Sequence, residues 1–366
     1  MLGRGLWLWK GRFGKRRCTA VSVLCAAVPC ACLLALLFVD AIESWTMSLA
    51  MNKAGAEQGG GGTHSSPQGK LEEYPLMPSP LVCQRANPYL LTIVTTAPAN
   101  LKAREAIRNT WGGETEVRGR RVMTLFMVGL TVDPVLSKQL VQEAQDHRDL
   151  IQGRFVDTYA NLTLKTLSML GWTRRFCLQT RFIAKVDDDV LFNPGMLLRY
   201  LNRSHSTVGD LYLGRVHLKV LPNRNPASKH YLPATAYAPE VFPDYCSGTA
   251  YVLSLSAALK ISQAAPSLSA PVPLPPEDVF VGLTARAAGV LPSHCPLFSG
   301  GPGMPYSRCC YQAMVSVHHI SPREMIRIWG EVHSPPPCSW FSMRVSLGLC
   351  KVRALLGTML GVDEGV

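Results

Sequence analysis

Three consecutive aspartates, Asp187, Asp188 and Asp189, are the residues of this chain whose types and spacing point most directly to chemistry. They follow residues 181–186, a short apolar run that predicts a buried strand. Adjacent carboxylates repel one another unless a cation lies between them. Oxygen ligands of this kind suit Mg²⁺ or Mn²⁺, with water and substrate phosphates completing the coordination shell. A helix cap is the alternative, but one aspartate would be enough for a cap. The motif therefore predicts a metal site at a strand end.

A second acidic pair, Glu277 and Asp278, precedes residues 279–288, an apolar stretch that predicts a helix. Acids in the first turn of a helix complement its dipole, so the pair could be structural. Beside a metal site, one of the two carboxylates could instead act as a general base. The pattern alone leaves both interpretations open.

Two cationic features have weaker patterns. Arg104 and Arg108 are four residues apart, so they share one face of a predicted helix. Their guanidinium groups could clamp an anionic ligand or could lie in solvent. His318, which precedes His319, could supply one nitrogen ligand to Mn²⁺, although a lone histidine is more often structural.

The elements that must position these groups alternate along the chain. Apolar, β-branched runs predict strands at residues 89–96, 122–128, 181–186, 210–216 and 249–253. Amphipathic stretches predict helices at residues 104–111, 135–150, 162–176, 255–265 and 279–288. This alternation predicts an α/β fold, with a mostly parallel sheet and helices on both faces. Because such sheets bind ligands at the carboxyl ends of their strands, the aspartates lie where a site is expected.

The N-terminal part of the chain predicts a membrane anchor. Residues 19–39 contain no charged side chain, and as a helix they would span ~30 Å, the hydrocarbon thickness of a bilayer. Residues 1–18 contain six basic side chains and no acid, which predicts a cytosolic tail and a lumenal remainder. A cleaved signal peptide would have a shorter apolar core and a small-residue cleavage site.

The segment after the anchor has a different composition from the rest. Residues 40–86 contain a glycine run, residues 59–62, together with several prolines and no periodicity, which predicts a flexible stem. A catalytic domain is then expected at residues 87–335 and a C-terminal extension at 336–366. Eight of the 12 cysteines lie beyond the anchor, so up to four disulfides are expected in an oxidising lumen, with their pairing open.

Composition excludes several classes of protein. Apolar residues make up 47% of the 366-residue chain and charged residues 17%, unlike a disordered protein. The net charge is +12, but residues 1–18 carry half of it. The remainder has no basic stripe interleaved with aromatic residues, so no nucleic-acid partner is expected.

Five motifs, in order, resemble the β1,3-glycosyltransferases of the Golgi, the family of the β1,3-galactosyltransferases and β1,3-N-acetylglucosaminyltransferases. They are REAIRNTWG at 104–112, FVDTYANLTLKT at 155–166, KVDDD at 185–189, YCSGTAYVLS at 245–254 and EDVFVG at 277–282. The tail segments RCCY, at 308–311, and CSWF, at 338–341, look most like the branch that galactosylates ganglioside-type glycolipids.

The resemblance implies a GT-A-like fold and an inverting, Mn²⁺-dependent reaction in a single-pass type II protein of the Golgi membrane. UDP-galactose is the implied nucleotide-sugar donor, and a terminal N-acetylhexosamine of a glycolipid or glycoprotein is the implied glycan acceptor. By matching position, the implied metal ligands are Asp189, Asp187 and His318. The residues implied to line the donor pocket are Arg104, Arg108, Asp157, Lys165, Asp187 and Asp188. Asp278, rather than Glu277, is the implied catalytic base.

Two other functions remain open at this point. The same scaffold could use UDP-N-acetylglucosamine, although the sequence EDV at 277–279 is more typical of the galactose branch. A non-catalytic lumenal sugar-binding or chaperone protein could keep the fold, although the retained Asp187–Asp189 and Asp278 argue against it. Residues 217–244 depart most from the family pattern, and they lie where the acceptor is expected.

Overall fold

The computed structural model describes residues 28–55, 74–204, 209–228, 230–265, 275–301 and 303–359. The predicted cytosolic tail, the first part of the predicted anchor (residues 19–27) and the glycine run at 59–62 lie outside the described residues.

The described residues contain an eight-stranded sheet and a two-stranded sheet. The strands are β1 (Leu90–Thr95), β2 (Glu116–Val117), β3 (Arg120–Leu130), β4 (Leu150–Val156), β5 (Phe182–Asp187), β6 (Leu191–Phe192), β7 (Tyr212–His217), β8 (Tyr245–Ser254), β9 (Pro292–His294) and β10 (Ser316–Val317). The small sheet pairs β6 with β10, and the other strands form the large sheet.

Helices follow or precede most of these strands. They are α1 (Val28–Leu37), α2 (Val39–Gly55), α3 (Val82–Ala86), α4 (Leu101–Arg108), α5 (Pro134–His147), α6 (Leu162–Phe176), α7 (Pro194–Ser204), α8 (Leu255–Ala264), α9 (Glu277–Ala287), α10 (Arg308–Ala313), α11 (Pro322–His333) and α12 (Trp340–Met359).

The large sheet is mixed, and its order is β2-β3-β1-β5-β8-β7-β9, with β4 paired to β3. The strands β4, β3, β1 and β5 are parallel, whereas β8 is antiparallel to β5 and β7. All six residues of β1 are buried because β1 lies between two strands and under helices on both faces. The carboxyl ends of β1 and β5 therefore meet at one edge, with Thr95 opposite Asp187.

Two apolar clusters cover the two faces of the sheet. Successive side chains of a strand point to opposite faces. Leu90 and Val94 accordingly pack in the cluster that contains Trp111, whereas Leu91 and Ile93 pack in the cluster that contains Trp172. The predicted α/β fold with helices on both faces is confirmed.

Some elements differ from the prediction. The helix expected at 135–150 ends at His147, because Arg148 adopts a left-handed backbone conformation with φ of 56°, and β4 follows unpredicted. Gly153 and Arg154 interrupt the apolar pattern of β4, which hid it from a periodicity argument. The first residues of the predicted flexible stem instead form α2. That helix is held by contacts of Glu43 with Arg215 and Lys351, which composition cannot reveal.

No single helix among the described residues is both long and apolar enough to cross a membrane. Residues 28–37 and 39–51 meet that criterion only as a pair of helices, and the pair is bent by 73°.

Two disulfides are present in the described part of the chain. Cys83–Cys177 joins α3 to the end of α6, and Cys309–Cys338 joins α10 to the segment before α12. The other described cysteines beyond the predicted anchor are buried thiols: Cys246, Cys295, Cys310 and Cys350.

Candidate active site

The aspartate run lies at the carboxyl ends of β1 and β5, and the segment after β1 holds its first two members. Thr95 Oγ1 donates a hydrogen bond of 2.6 Å to Asp187 Oδ1. Thr96 Oγ1 and Asn100 Nδ2 donate to Asp188 Oδ2 at 2.5 and 2.8 Å. These contacts fix the orientation of both carboxylates.

Lys185 is a site residue to which the sequence argument assigned no role. Its Nζ lies 2.6 Å from Asp187 Oδ1 and 3.7 Å from Glu277 Oε2, and it donates to the carbonyl of Gly248. Burial alone would lower the pKa of Lys185, but Asp187 and Glu277 raise it above its ordinary value. The sequence did contain a signal for Lys185, since it is a charged residue inside an apolar strand, two positions before an aspartate.

Asp189 has 49% of its side chain exposed, against 36% for Asp187. Partial burial and the neighbouring Asp187 and Asp188 raise its pKa. Its carbonyl accepts a hydrogen bond from Ile320 N, and its Oδ2 lies 3.8 Å from His319 Nδ1. The segment after β10 therefore lies directly against the aspartate run.

The two histidines of that segment have different environments. His318 is buried, and its Nδ1 lies 3.1 Å from Ser299 Oγ, which also accepts from the His318 backbone N–H. Burial, together with His319, lowers the pKa of His318 to about 4, so its ring is neutral at pH 7. Since Ser299 engages Nδ1, Nε2 is the ring nitrogen left for a ligand. His319 is exposed and adopts φ of 63°, a conformation that costs a non-glycine residue energy and recurs at functional sites.

These side chains fit a divalent cation bound together with a diphosphate. Carboxylate oxygens and a neutral imidazole are ligands that Mn²⁺ accepts. Within the described ranges, no group of three or more His, Cys, Asp or Glu side chains is arranged to hold a metal alone. A cation that also binds substrate phosphates needs only one or two protein carboxylates. Asp189, which accepts no side-chain hydrogen bond in the described residues, suits that role.

The two acids at the start of α9 differ in burial, because Glu277 lies in the interior and Asp278 is partly exposed. Glu277 is buried and accepts hydrogen bonds from Thr166 Oγ1 at 2.7 Å and from the Tyr251 hydroxyl at 2.9 Å. Burial raises the pKa of Glu277. Asp278 is only partly buried, and it accepts from the backbone N–H groups of Gly248 and Val279 at 3.2 and 2.9 Å. Only Asp278 therefore presents a carboxylate that a substrate can reach.

Gly248 of β8 connects the two acidic motifs. Its carbonyl accepts from Lys185, which holds Asp187, and its N–H donates to Asp278. A Cβ at this position would lie 3.1 Å from Glu277 Oε2, closer than the buried carboxylate easily tolerates, and in ordinary contact with Asp278 Oδ2 at 3.4 Å. A glycine therefore allows β8 to approach both acids.

Arg104 and Arg108 form ion pairs behind the loop that follows β1. Arg104 is 1% exposed, pairs with Glu143 at 2.7 Å and donates to the carbonyls of Ala97 and Pro98 at 2.7 and 3.1 Å. Arg108 also binds Glu143, and its Nη1 is buried without a hydrogen-bond partner among the described residues. Arg104 thus positions the loop that carries Thr96 and Asn100, and Arg108 keeps one unpaired donor.

Asp157 and Lys165 also hold the loop that follows β1. Lys165 Nζ lies 2.8 Å from Asp157 Oδ1 and donates to the carbonyl of Thr96 at 2.8 Å. Asp157 Oδ2 accepts from Gly129 N at 2.6 Å. Both side chains are buried, so they act on the site through the backbone that they hold.

Tyr159 and His230 contact each other, and the sequence argument assigned them no role. Tyr159 is 56% exposed, and its hydroxyl lies 3.1 Å from His230 Nδ1. Partial burial and the charges of Asp278 and Asp187 raise the pKa of Tyr159. His230 belongs to residues 217–244, where the chain departs from the family pattern, and no local signal marked it.

We expect Glu143→Gln to destabilise the fold, because the buried guanidinium of Arg104 would lose its carboxylate. Breaking a buried ion pair by removing one partner costs about 3–5 kcal/mol. The free energy of unfolding, measured by denaturant titration, tests this. Glu331→Gln, which removes an exposed partner of Arg327, is the matched control and should change little. Equal losses in both variants would contradict a special role for the buried pair.

Known proteins resemble this chain in sequence over most of its length. A galactosyltransferase family model matches residues 102–296. Human β1,3-galactosyltransferase 9 is 34% identical to this chain over 78% of it and 77% of the relative. Mouse β1,3-galactosyltransferase 4 is 40% identical over 69% and 76% of the two chains. The lactosylceramide 1,3-N-acetyl-β-D-glucosaminyltransferase A of Xenopus laevis is 36% identical over 69% and 68%.

Among solved structures, a glycosyltransferase involved in glycosylation of the major capsid of PBCV-1 aligns with 66% of this chain and 99% of its own. The TM-score of this alignment is 0.35, and the sequence identity is 14%. The family model covers more than half of the chain, and the relatives cover more than two thirds of it at 34–40% identity. The chain therefore belongs to the galactosyltransferase family of enzymes.

Proposed function

We propose that this enzyme has a GT-A-like domain and transfers galactose from UDP-galactose, with Mn²⁺ and with inversion, in β1,3-linkage to a terminal N-acetylhexosamine of a glycolipid or glycoprotein. One observation carries the proposal. The aspartate run and the accessible Asp278 lie on adjacent elements, and Gly248 contacts both Asp278 and the lysine that holds Asp187.

Asp189, Asp187 and His318 would hold the cation. The cation would neutralise the donor diphosphate and stabilise UDP as the leaving group. Asp188, oriented by Thr96 and Asn100, lines the same pocket, and the buried side chains behind the loop keep it in place.

Asp278 would take the proton of the acceptor hydroxyl. The backbone N–H groups of Gly248 and Val279 donate to its two oxygens and hold the carboxylate in a fixed orientation. Attack by the acceptor oxygen on the side opposite UDP converts an α-linked donor sugar into a β-linkage, so no covalent nucleophile is needed. Tyr159, whose ring is exposed and whose pKa the charges of Asp278 and Asp187 raise, is a candidate contact for the sugars.

The second candidate is transfer of N-acetylglucosamine, since relatives of this chain include lactosylceramide 1,3-N-acetylglucosaminyltransferases. We expect the purified full chain with Mn²⁺ to release UDP faster from UDP-galactose than from UDP-N-acetylglucosamine. A UDP-release assay with each sugar and a terminal N-acetylhexosamine acceptor measures this. The reverse preference would replace the proposed donor, and no turnover of any nucleotide sugar would favour the non-catalytic alternative.

We propose that the protein is a single-pass type II protein of the Golgi membrane. Its tail would be residues 1–18, its anchor 19–39, its stem 40–86, its catalytic domain 87–335 and its C-terminal extension 336–366. The six basic residues before the anchor support this orientation.

This orientation predicts that protease added to intact Golgi vesicles leaves a C-terminal epitope tag undigested until detergent is added. A tag at the N-terminus of the same chain is the control and should be removed without detergent. Digestion of the C-terminal tag in intact vesicles would show the opposite orientation.

A further inference from the structure

A cavity of about 240 Å³ lies between α2, α7 and α12, and none of its lining residues belongs to the candidate active site. Helix α7 contributes Arg199 and Arg203, α12 contributes Arg344 and Trp340, and α2 contributes Asp40. The cavity therefore brings three guanidinium groups together with a single carboxylate.

That carboxylate does not balance the charge of the cavity. Asp40 forms an ion pair with Arg344. Within the described part of the chain, Arg199 and Arg203 have no ion-pair partner. Partial burial lowers the pKa of Arg199, and the nearby Arg203, Arg118 and Arg344 lower it further. Like charges held this close favour binding of an anion, and guanidinium groups match the oxygens of a phosphate in particular.

The position of α2 indicates where such an anion would come from. Helix α1 continues the apolar run of the proposed anchor, and the chain then bends by 73° into α2. An anchor that crosses the bilayer would therefore place α2 near the plane of the membrane surface. Glu43 of α2 forms ion pairs with Arg215 and Lys351, which fix α2 against the rest of the domain. The cavity, which α2 lines, would therefore also lie near the membrane surface.

The exposed faces of α2 and α12 are apolar, as expected beside lipid. Ile42, Trp45 and Leu49 form an exposed stripe on α2 at helical spacing, and Trp45 is 65% exposed. On α12 the exposed stripe is Phe341, Leu349, Val352 and Leu356. Apolar side chains with tryptophans and adjacent basic residues are typical of helices that lie in a membrane interface.

We propose that this cavity binds the anionic headgroup of a phospholipid in the membrane that anchors the chain. The guanidinium groups of Arg199 and Arg203 contact the headgroup phosphate, and the stripes of α2 and α12 contact the surrounding lipid. This inference rests on the proposed anchor, but it does not depend on the donor or acceptor of the enzyme.

The test uses the full chain in phosphatidylcholine nanodiscs with increasing fractions of phosphatidylserine. Anionic lipid that binds the folded state should raise the Tm of the parent. Arg199→Gln/Arg203→Gln should need about ten- to hundred-fold more phosphatidylserine for the same shift, since two hydrogen bonds between charged groups are lost. The matched control is Arg286→Gln/Arg323→Gln, which removes two exposed arginines outside the cavity, one on α9 and one on α11. The control should respond like the parent.

Several outcomes would overturn the proposal. One is a parent Tm that is the same with and without phosphatidylserine, and another is an Arg199/Arg203 variant whose Tm responds like that of the parent. A control variant that loses the Tm response as strongly as the Arg199/Arg203 variant would indicate general attraction between the protein surface and the lipid. Inorganic phosphate that raises Tm as strongly in neutral nanodiscs would assign the cavity to a free anion. Crosslinks between the α12 helices of two copies would assign the apolar stripes to a dimer.

Transferase activity of each variant toward a soluble acceptor reports whether the variant is folded. Because Arg199 and Arg203 are partly exposed and lie outside the active site, this activity should equal that of the parent. Lost activity in the parent with a retained lipid response would refute the proposed function alone. Retained activity without a lipid response would refute the lipid site alone.

Discussion

Asp278→Asn should lower the kcat of sugar transfer by about 10²–10⁴-fold, the usual cost of removing a general base, while the Kd for UDP with Mn²⁺ stays near that of the parent. The amide keeps the size of the side chain, and its single oxygen can still accept from Gly248 or from Val279, so the backbone around it should move little. It has no basic oxygen for the acceptor proton, so the chemical step alone should slow.

Glu277→Gln is the matched control for this prediction, because it makes the same chemical change at the adjacent residue. Glu277 is buried against Thr166 and Tyr251, and burial raises its pKa, so a neutral amide disturbs that position less. We expect a smaller loss of kcat than for Asp278→Asn. The measurements are kcat for transfer and the Kd for UDP with Mn²⁺ on both variants.

Two results would contradict the assignment of the base. An inactive Glu277→Gln variant beside an Asp278→Asn variant with near-parent kcat would move the base by one residue. Full activity in both variants would place the base elsewhere, and the pair would then be only an acidic helix start that complements the dipole of α9.

Asp189→Ala should abolish Mn²⁺-dependent binding of UDP and leave the fold largely intact. The Asp189 side chain is 49% exposed, and its carboxylate accepts no side-chain hydrogen bond in the described residues. Its pKa is raised by partial burial and by Asp187 and Asp188, so its removal relieves repulsion between like charges. Calorimetric titration of UDP with and without Mn²⁺ measures the loss, and Tm reports on the fold.

The two histidines provide the comparison for this variant. His318→Ala should weaken metal-dependent binding less than Asp189→Ala, because it removes one neutral ligand among several. His319→Ala, next to it in the chain, should have a smaller effect if His318 is the ligand. An Asp189→Ala variant that binds Mn²⁺ and UDP as tightly as the parent would refute the metal assignment.

Much of the fold could be predicted from local pattern. The run at 181–186 predicted β5 within one residue of its bounds, and α6 begins and ends as predicted at residues 162 and 176. Both elements have a clear apolar signal, because burial on one or both faces imposes a spacing on the side chains. Where packing imposed no such spacing, as in β4 and α2, the prediction missed the element.

The residue types also determined the chemistry that the chain can offer. Adjacent aspartates at a strand end predicted a cation site, and the order of five motifs predicted the family, which the comparisons confirm. The metal, the donor, the domain limits and the roles of single residues stay predictions.

Only the tertiary structure decided how the charged groups are paired. It buried Glu277 against Thr166, 111 residues earlier in the chain, and left its neighbour Asp278 accessible. It paired Arg104 with Glu143, which the helical spacing of the arginines could not indicate. Local periodicity reports which side of an element is buried, because that depends on the element alone. The partner of a charged side chain depends on which distant segments the sheet order brings together, so it becomes visible only in the folded chain.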